Sequence, residues 1–266
     1  MGIFSYLKKS EVFYFPGCML YFKYKEYFDL YKKIFNILNI SFITTDKTVC
    51  CGIEALEAGY EQEVRKIAKE NFQIFKDNRV KEIITTSPEC YKSFIIDYPL
   101  LIPDFNIKII NFWELIFKKL ENKKIIKNKI NEIITFHDNC YLGRYCKIYD
   151  EPRKILVLLG FEIKEMDNHR ENSFCCGSCG GLPRIDYELA QKLAKERILQ
   201  AKRIGVKKIV VFSFENYNLL KSVHDTGIEI IELSEIIGEA LGIKRIESKN
   251  QELTNENKVL TEIIGE

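Results

Sequence analysis

The chain has 266 residues, 46% of them hydrophobic and 12% aromatic, enough for one large globular domain or two of ordinary size. Its 40 basic and 38 acidic residues are interspersed, so there is no basic stripe of the kind that neutralises phosphates and no nucleic-acid partner is expected. No stretch reaches 18 uncharged apolar residues and the first residues lack a signal-peptide pattern, which predicts a cytoplasmic protein with no transmembrane segment of its own. Nine cysteines, an odd number in such a setting, point to metal or redox chemistry rather than structural disulfides.

After an N-terminal extension (residues 1–10), the first predicted strand carries "FYFPGC" and ends at Cys18. A helix of period 3.6 follows, then a short strand "ISFITT" and a turn at Cys50, Cys51 and Gly52. The long amphipathic pattern "EVRKIAKENFQIFKD" comes next, and the β-branched strand "KEIITT" leads to Ser87 and Cys90. The same order then returns: "EIITFHDNC" ending at Cys140, a helix, "FEIKEM", a turn at Cys175, Cys176 and Gly177, "LAQKLAKERILQAKR" and "KKIVVF".

This recurrence is an internal duplication. "VKEIITTSPECY" at Val80 and "VKKIVVFSFENY" at Val206 share Val, Lys, Ile, Ser, Glu and Tyr at positions 126 apart. Alternating strands and helices predict an α/β fold of two duplicated lobes, 11–124 and 125–243, each a small parallel sheet flanked by helices. Ligands of such sheets sit at the carboxyl ends of the strands, and that is where the cysteines fall. Adjacent thiolates can face one centre only if the backbone turns sharply, which Gly52 and Gly177 permit at positive φ. Amide groups opening the next helix would then point at anionic sulfur.

A cysteine, then CCG, then a final cysteine motif, written twice with "FPGC", "CCGIEALEAGY", "HDNCYLGR", "YDEPRKIL" and "NSFCCG", resembles the cysteine-rich CCG domain family over about residues 11–241. Gaps of 31 residues between Cys18 and Cys50 and of 34 between Cys140 and Cys175 suit its pattern. The family includes the CCG-containing subunit of heterodisulfide reductase and the iron–sulfur subunits of glycolate, lactate and glycerol-3-phosphate dehydrogenases. The resemblance implies an iron–sulfur electron-transfer subunit of an oxidoreductase complex, partnered by a flavoprotein or another iron–sulfur protein. It also implies 4Fe-4S clusters, one or two, with the noncubane form and direct heterodisulfide reduction at lobe one as the special case found in the reductase.

The sequence departs from that pattern at the end of each motif, where Ser87 precedes Cys90 and Ser213 precedes Asn216. Lobe one therefore offers four cysteines, Cys18, Cys50, Cys51 and Cys90, which suffice for an ordinary four-iron cluster and fall short of the five of the noncubane form. Ser87 is either an additional ligand or the cap of the turn that follows it. Lobe two gains Cys146 and Cys179, so Cys140, Cys175, Cys176 and Cys179 form a replacement set, with Cys146 in reserve. Four thiolates also bind zinc, and a zinc-stabilised scaffold without redox activity is the alternative.

His137, three residues before Cys140, is placed either to donate to a sulfur or to close the turn after its strand. Arg144 reads as a surface arginine or a counter-charge, Tyr91 and Tyr217 as lobe packing, and His169 and His224 as residues in polar surroundings. No dinucleotide or phosphate-loop motif is present, so a flavin would come from a partner. The segment 244–266 reads as a polar terminal helix.

Overall fold

The computed structural model describes residues 11–47, 50–224 and 226–244. The expected N-terminal extension and nearly all of the polar tail thus lie outside the described residues. Among the described residues seven strands form two sheets, all of whose pairings are parallel. In the first, β1 (Val12–Phe15), β2 (Glu82–Thr85) and β3 (Lys108–Ile110) lie side by side in that order. In the second, β5 (Glu162–Ile163), β4 (Ile133–Phe136), β6 (Lys208–Val211) and β7 (Glu229–Glu232) follow the order β5-β4-β6-β7.

The expected "ISFITT" strand is reduced to one bridge, Ile43 against Phe13, held by Tyr14 N–H to Ile43 O and Ile43 N–H to Val12 O at 2.9 Å each. The chain leaves the sheet at once to reach the Cys50 turn, so no longer ladder forms. With that bridge beside β1, the first sheet repeats the order of the second. β3 and β7 close each sheet on its far side and had no counterpart among the sequence expectations.

The duplication holds to the residue where it is strongest. Helices Glu61–Asp77 and Tyr187–Arg203 are both 17 residues long, and β2 and β6 both four, each pair separated by the same 126 positions. Each long helix buries a stripe that includes Val64, Ala68 and Phe72 in one and Ala190, Ala194 and Ile198 in the other.

The sheets do not stand apart. Helix Lys25–Ile37 of the first half packs on Leu233–Ala240 of the last, and Phe112–Leu120 packs on Asp150–Leu158. One continuous apolar cluster runs from Tyr14 and Ile84 on one face of the first sheet to Val210 and Ile231 in the second. The other face of the first sheet, with Phe13, Phe15 and Ile83, has its own smaller core around Phe75 and Phe94. Tyr217, buried, hydrogen-bonds the buried Tyr27 across the lobes at 2.9 Å, which is the packing role expected of it.

Candidate metal centres

Both lobes build their sites from the same parts. A parallel strand ends, a cysteine follows it, and a wide π-type helical turn begins immediately after: Cys18 before Met19–Lys23 and Cys140 before Tyr141–Tyr145. Such turns recur at functional sites because they displace a side chain from the regular helical ladder. The paired cysteines arrive on a loop closed by Gly52 at φ 84° and Gly177 at φ 89°. A Cβ on Gly177 would lie 2.9 Å from Ala190 O, and one on Gly52 2.9 Å from a Val64 methyl, so side chains are excluded on space as well as on φ.

In lobe one the four thiols form two contacting pairs, Cys18 with Cys50 and Cys51 with Cys90. Contact with Cys18, helped by the Gly52 N–H, pulls the Cys50 thiol down to about 6. The same contact and burial push Cys18 up, and Cys51 and burial push Cys90 up. One thiol of the first pair is thus prepared as a thiolate at neutral pH while its neighbour holds the proton. Cys50 is exposed, whereas Cys51 and Cys90 are buried. Ser87 caps the helix Pro88–Lys92, accepting from Cys90 N–H at 3.2 Å, and its hydroxyl donates to Glu89 at 2.9 Å.

In lobe two the sulfurs of Cys140, Cys175 and Cys179 all lie within 4.8 Å of one another. Contacts with Cys140 and Cys179, with the Gly177 N–H at 3.4 Å behind them, draw the Cys175 thiol far below the ordinary cysteine value. Arg144 is an exposed residue yet donates Nη2–H to Cys140 Sγ at 2.9 Å, so it serves as a counter-charge from the surface. Cys176 stands outside this group of three: its sulfur, fully buried, accepts from Asn216 Nδ2 at 3.4 Å and donates to Ser178 Oγ at 3.5 Å. Burial raises that thiol to about 12.

The structure does not bring Cys146 to either site. It lies on the far side of the π-type turn, near Lys92, Asp97 and Tyr91, and burial raises its thiol to about 12. The turn between Cys140 and Cys146 carries the second sulfur away from the strand end. His137 is buried beside lobe two; Arg197 donates Nε–H to its Nδ1 at 3.0 Å, and burial and that cation lower its pKa to about 3. His169 instead bonds the carbonyl of Met166 at 2.8 Å.

Sequence reasoning missed the junction between the sites. Glu89 and Glu215 occupy matched positions in the repeat, and the structure sets them in hydrogen-bonding contact across the lobes. Glu89 accepts from Ser213 Oγ at 2.7 Å and from Asn139 Nδ2 at 3.0 Å, and Asn139 also donates to Asn216 Oδ1 at 2.8 Å. Burial and the facing Glu89 raise the Glu215 carboxyl well above the usual range. The retention of glutamate in both copies was the signal that could have found them. Beside this junction a cavity of about 590 Å³ opens onto Cys18, Cys50 and Cys90, with Arg184, Tyr187 and Glu215 contributed by lobe two.

Among the described residues no helix is long and apolar enough to cross a membrane. Comparison with known proteins finds similar chains. The chain is 34% identical over 176 residues, 64% of its length, to 24% of the Bacillus subtilis protein "Probable iron-sulfur-binding oxidoreductase FadF". It is 29% identical to EtfAB:quinone oxidoreductase of Syntrophomonas wolfei over 70% of its length and 26% of that protein. It is 25% identical to one of the subunits of dihydromethanophenazine:CoB–CoM heterodisulfide reductase from Methanosarcina mazei, over 89% of its length and 60% of that protein. The chain therefore spans between a quarter and three fifths of these curated relatives. Glutamate racemase of Francisella tularensis, a solved structure, covers 87% of the chain and 78% of its own at 14% identity with a TM-score of 0.35, too weak a likeness to bear on fold or function. The model of the CCG cysteine-rich domain matches residues 12–95 and 134–214, more than half of the sequence and one stretch in each lobe, and the chain belongs to that family.

Proposed function

We propose that the chain is an iron–sulfur electron-transfer subunit of an oxidoreductase, with one cluster site in each lobe. One observation carries this reading: in both lobes the cysteine after the first strand meets the first cysteine of the CCG turn beneath a backbone N–H from the turn glycine. Thiolates with aimed N–H donors suit a sulfur-ligated cluster, and the relatives' names point the same way. In lobe one Cys18, Cys50, Cys51 and Cys90 hold the group; in lobe two Cys140, Cys175 and Cys179 hold it, with Cys176 the remaining thiol of the turn. When bound, such clusters supply one-electron redox chemistry.

The protein's own residues then do three things. Gly52, Gly177 and Arg144 offset thiolate charge. Asn139 and Ser213 tie lobe two to Glu89 at the junction, and Ser87 steadies that carboxylate from within lobe one. The cavity leaves the lobe-one sulfurs reachable from outside, where a flavoprotein or iron–sulfur partner exchanges electrons with them.

The test is iron, sulfide and zinc content with EPR on oxygen-free protein, for the native chain and Cys179→Ala. About eight irons per chain, falling toward about four in the variant, is the expected result for four-iron clusters in both lobes. Colourless protein with zinc in place of iron would sink the redox reading.

A further inference from the structure

His137 follows β4 directly and is 1% exposed. Its Nδ1 receives a hydrogen bond from Arg197 Nε–H at 3.0 Å, and a guanidinium only donates. Nδ1 therefore presents its lone pair, and the ring hydrogen of the neutral imidazole sits on Nε2. Arg197 is fixed in this task, fully buried and donating also to Asn168 O at 2.7 Å and Gln200 Oε1 at 2.8 Å.

Nε2 is buried and has no hydrogen-bond partner among the described residues. A buried donor left unpaired is costly, so a fold that spends a buried arginine on fixing the tautomer has a use for that hydrogen. The charge of Cys175 acts on the ring, yet no thiol among the described residues takes up the Nε2 hydrogen. The equivalent position before Cys18 is Phe15, a buried phenyl ring with nothing to donate. The two sites thus differ at this donor, as they do at the Arg144 contact to Cys140 and the Asn216 contact to Cys176.

We propose that His137 is a positioning residue whose Nε2–H is held for a sulfur of the group bound in lobe two, and raises the reduction potential of that centre above what lobe one supports. Hydrogen bonds to cluster sulfurs favour the more negative, reduced form. Lobe two becomes the electron-holding end of the chain and lobe one the end that exchanges with the cavity. This rests on the iron–sulfur reading above.

The experiment is a potentiometric EPR titration of the native chain, His137→Phe and His137→Gln, with iron content measured on each sample. His137→Phe copies lobe one and should make reduction of one centre about tenfold less favourable, about 59 mV for a one-electron couple, leaving the other centre unmoved. His137→Gln restores an N–H at the reach of Nε2 and should return most of that shift. Unmoved potentials in an iron-loaded His137→Phe chain, or an equal shift in both variants, would overturn the proposal. Should His137→Phe fail to keep iron, the native chain labelled with 15N-histidine decides: a histidine nitrogen coupled to one reduced centre and absent from His137→Gln supports it, and no coupling rejects it. A native chain without iron would defeat the parent reading instead, whatever the histidine does.

Discussion

At the scale of single residues, the chemistry of the CCG turns is local. Two thiols side by side followed by glycine demand a left-handed backbone, and Gly177 has it with a neighbouring carbonyl where a side chain would go. Gly177→Ala is therefore expected to cost about 2 kcal/mol in unfolding free energy, and to loosen the Cys175–Cys179 grouping. Thermal unfolding of the metal-free chain reads the first effect and iron content of the loaded chain the second; wild-type values for both would show that the loop yields freely. The cap at Ser87 was legible for the same local reason. Cys146 was not, because six residues of sequence separation from Cys140 say nothing of the side on which a π-type turn delivers a side chain. Nor was the Arg197 contact to His137, whose partners are 60 residues apart.

At the scale of elements, the 126-residue repeat could be read directly, since the long helices and the strands after them carry matching periodicity and β-branched runs. β3 and β7 escaped notice because neither leads into a cysteine, and the motif pattern offered no place for them. β7 does carry a buried carboxyl at its end. Glu232 accepts from Tyr31 OH at 2.7 Å and from Ser234 N–H at 2.7 Å, and burial raises its pKa from 4.5 to about 7. A carboxyl raised in the folded state binds its proton more firmly there. Its stabilising contribution is complete below about pH 4.5 and disappears as pH climbs through about 7, a change on the order of 3 kcal/mol at most. Glu232→Gln cannot ionise, so the decline in melting temperature from about pH 5 to about pH 8 should be shallower than in the native chain. Parallel pH profiles for the two proteins would show that Glu232 does not titrate in this window.

At the scale of the whole molecule, the sequence announced two lobes and was silent on how they meet. Side chains from both copies of a Ser-x-Glu turn interlock there, and Glu89 is satisfied by a serine of the opposite lobe. A double-mutant cycle of Glu89→Gln and Ser213→Ala should return a coupling of about 1–3 kcal/mol, the scale on which contacting members of one buried hydrogen-bond network couple. A coupling near zero in chemical denaturation would mean the lobes are held by the shared apolar cluster alone.

That junction has a consequence for ancestry. A single-lobe forebear could close the same contact only as an isologous dimer, with one glutamate meeting its own copy across the two-fold axis. Any substitution there was then made twice, so the two sides could not specialise. Fusing the halves into one gene product released that constraint: Cys90 now stands on one side of the contact and Asn216 on the other. Only once both copies shared one chain could the two sides of this contact diverge independently.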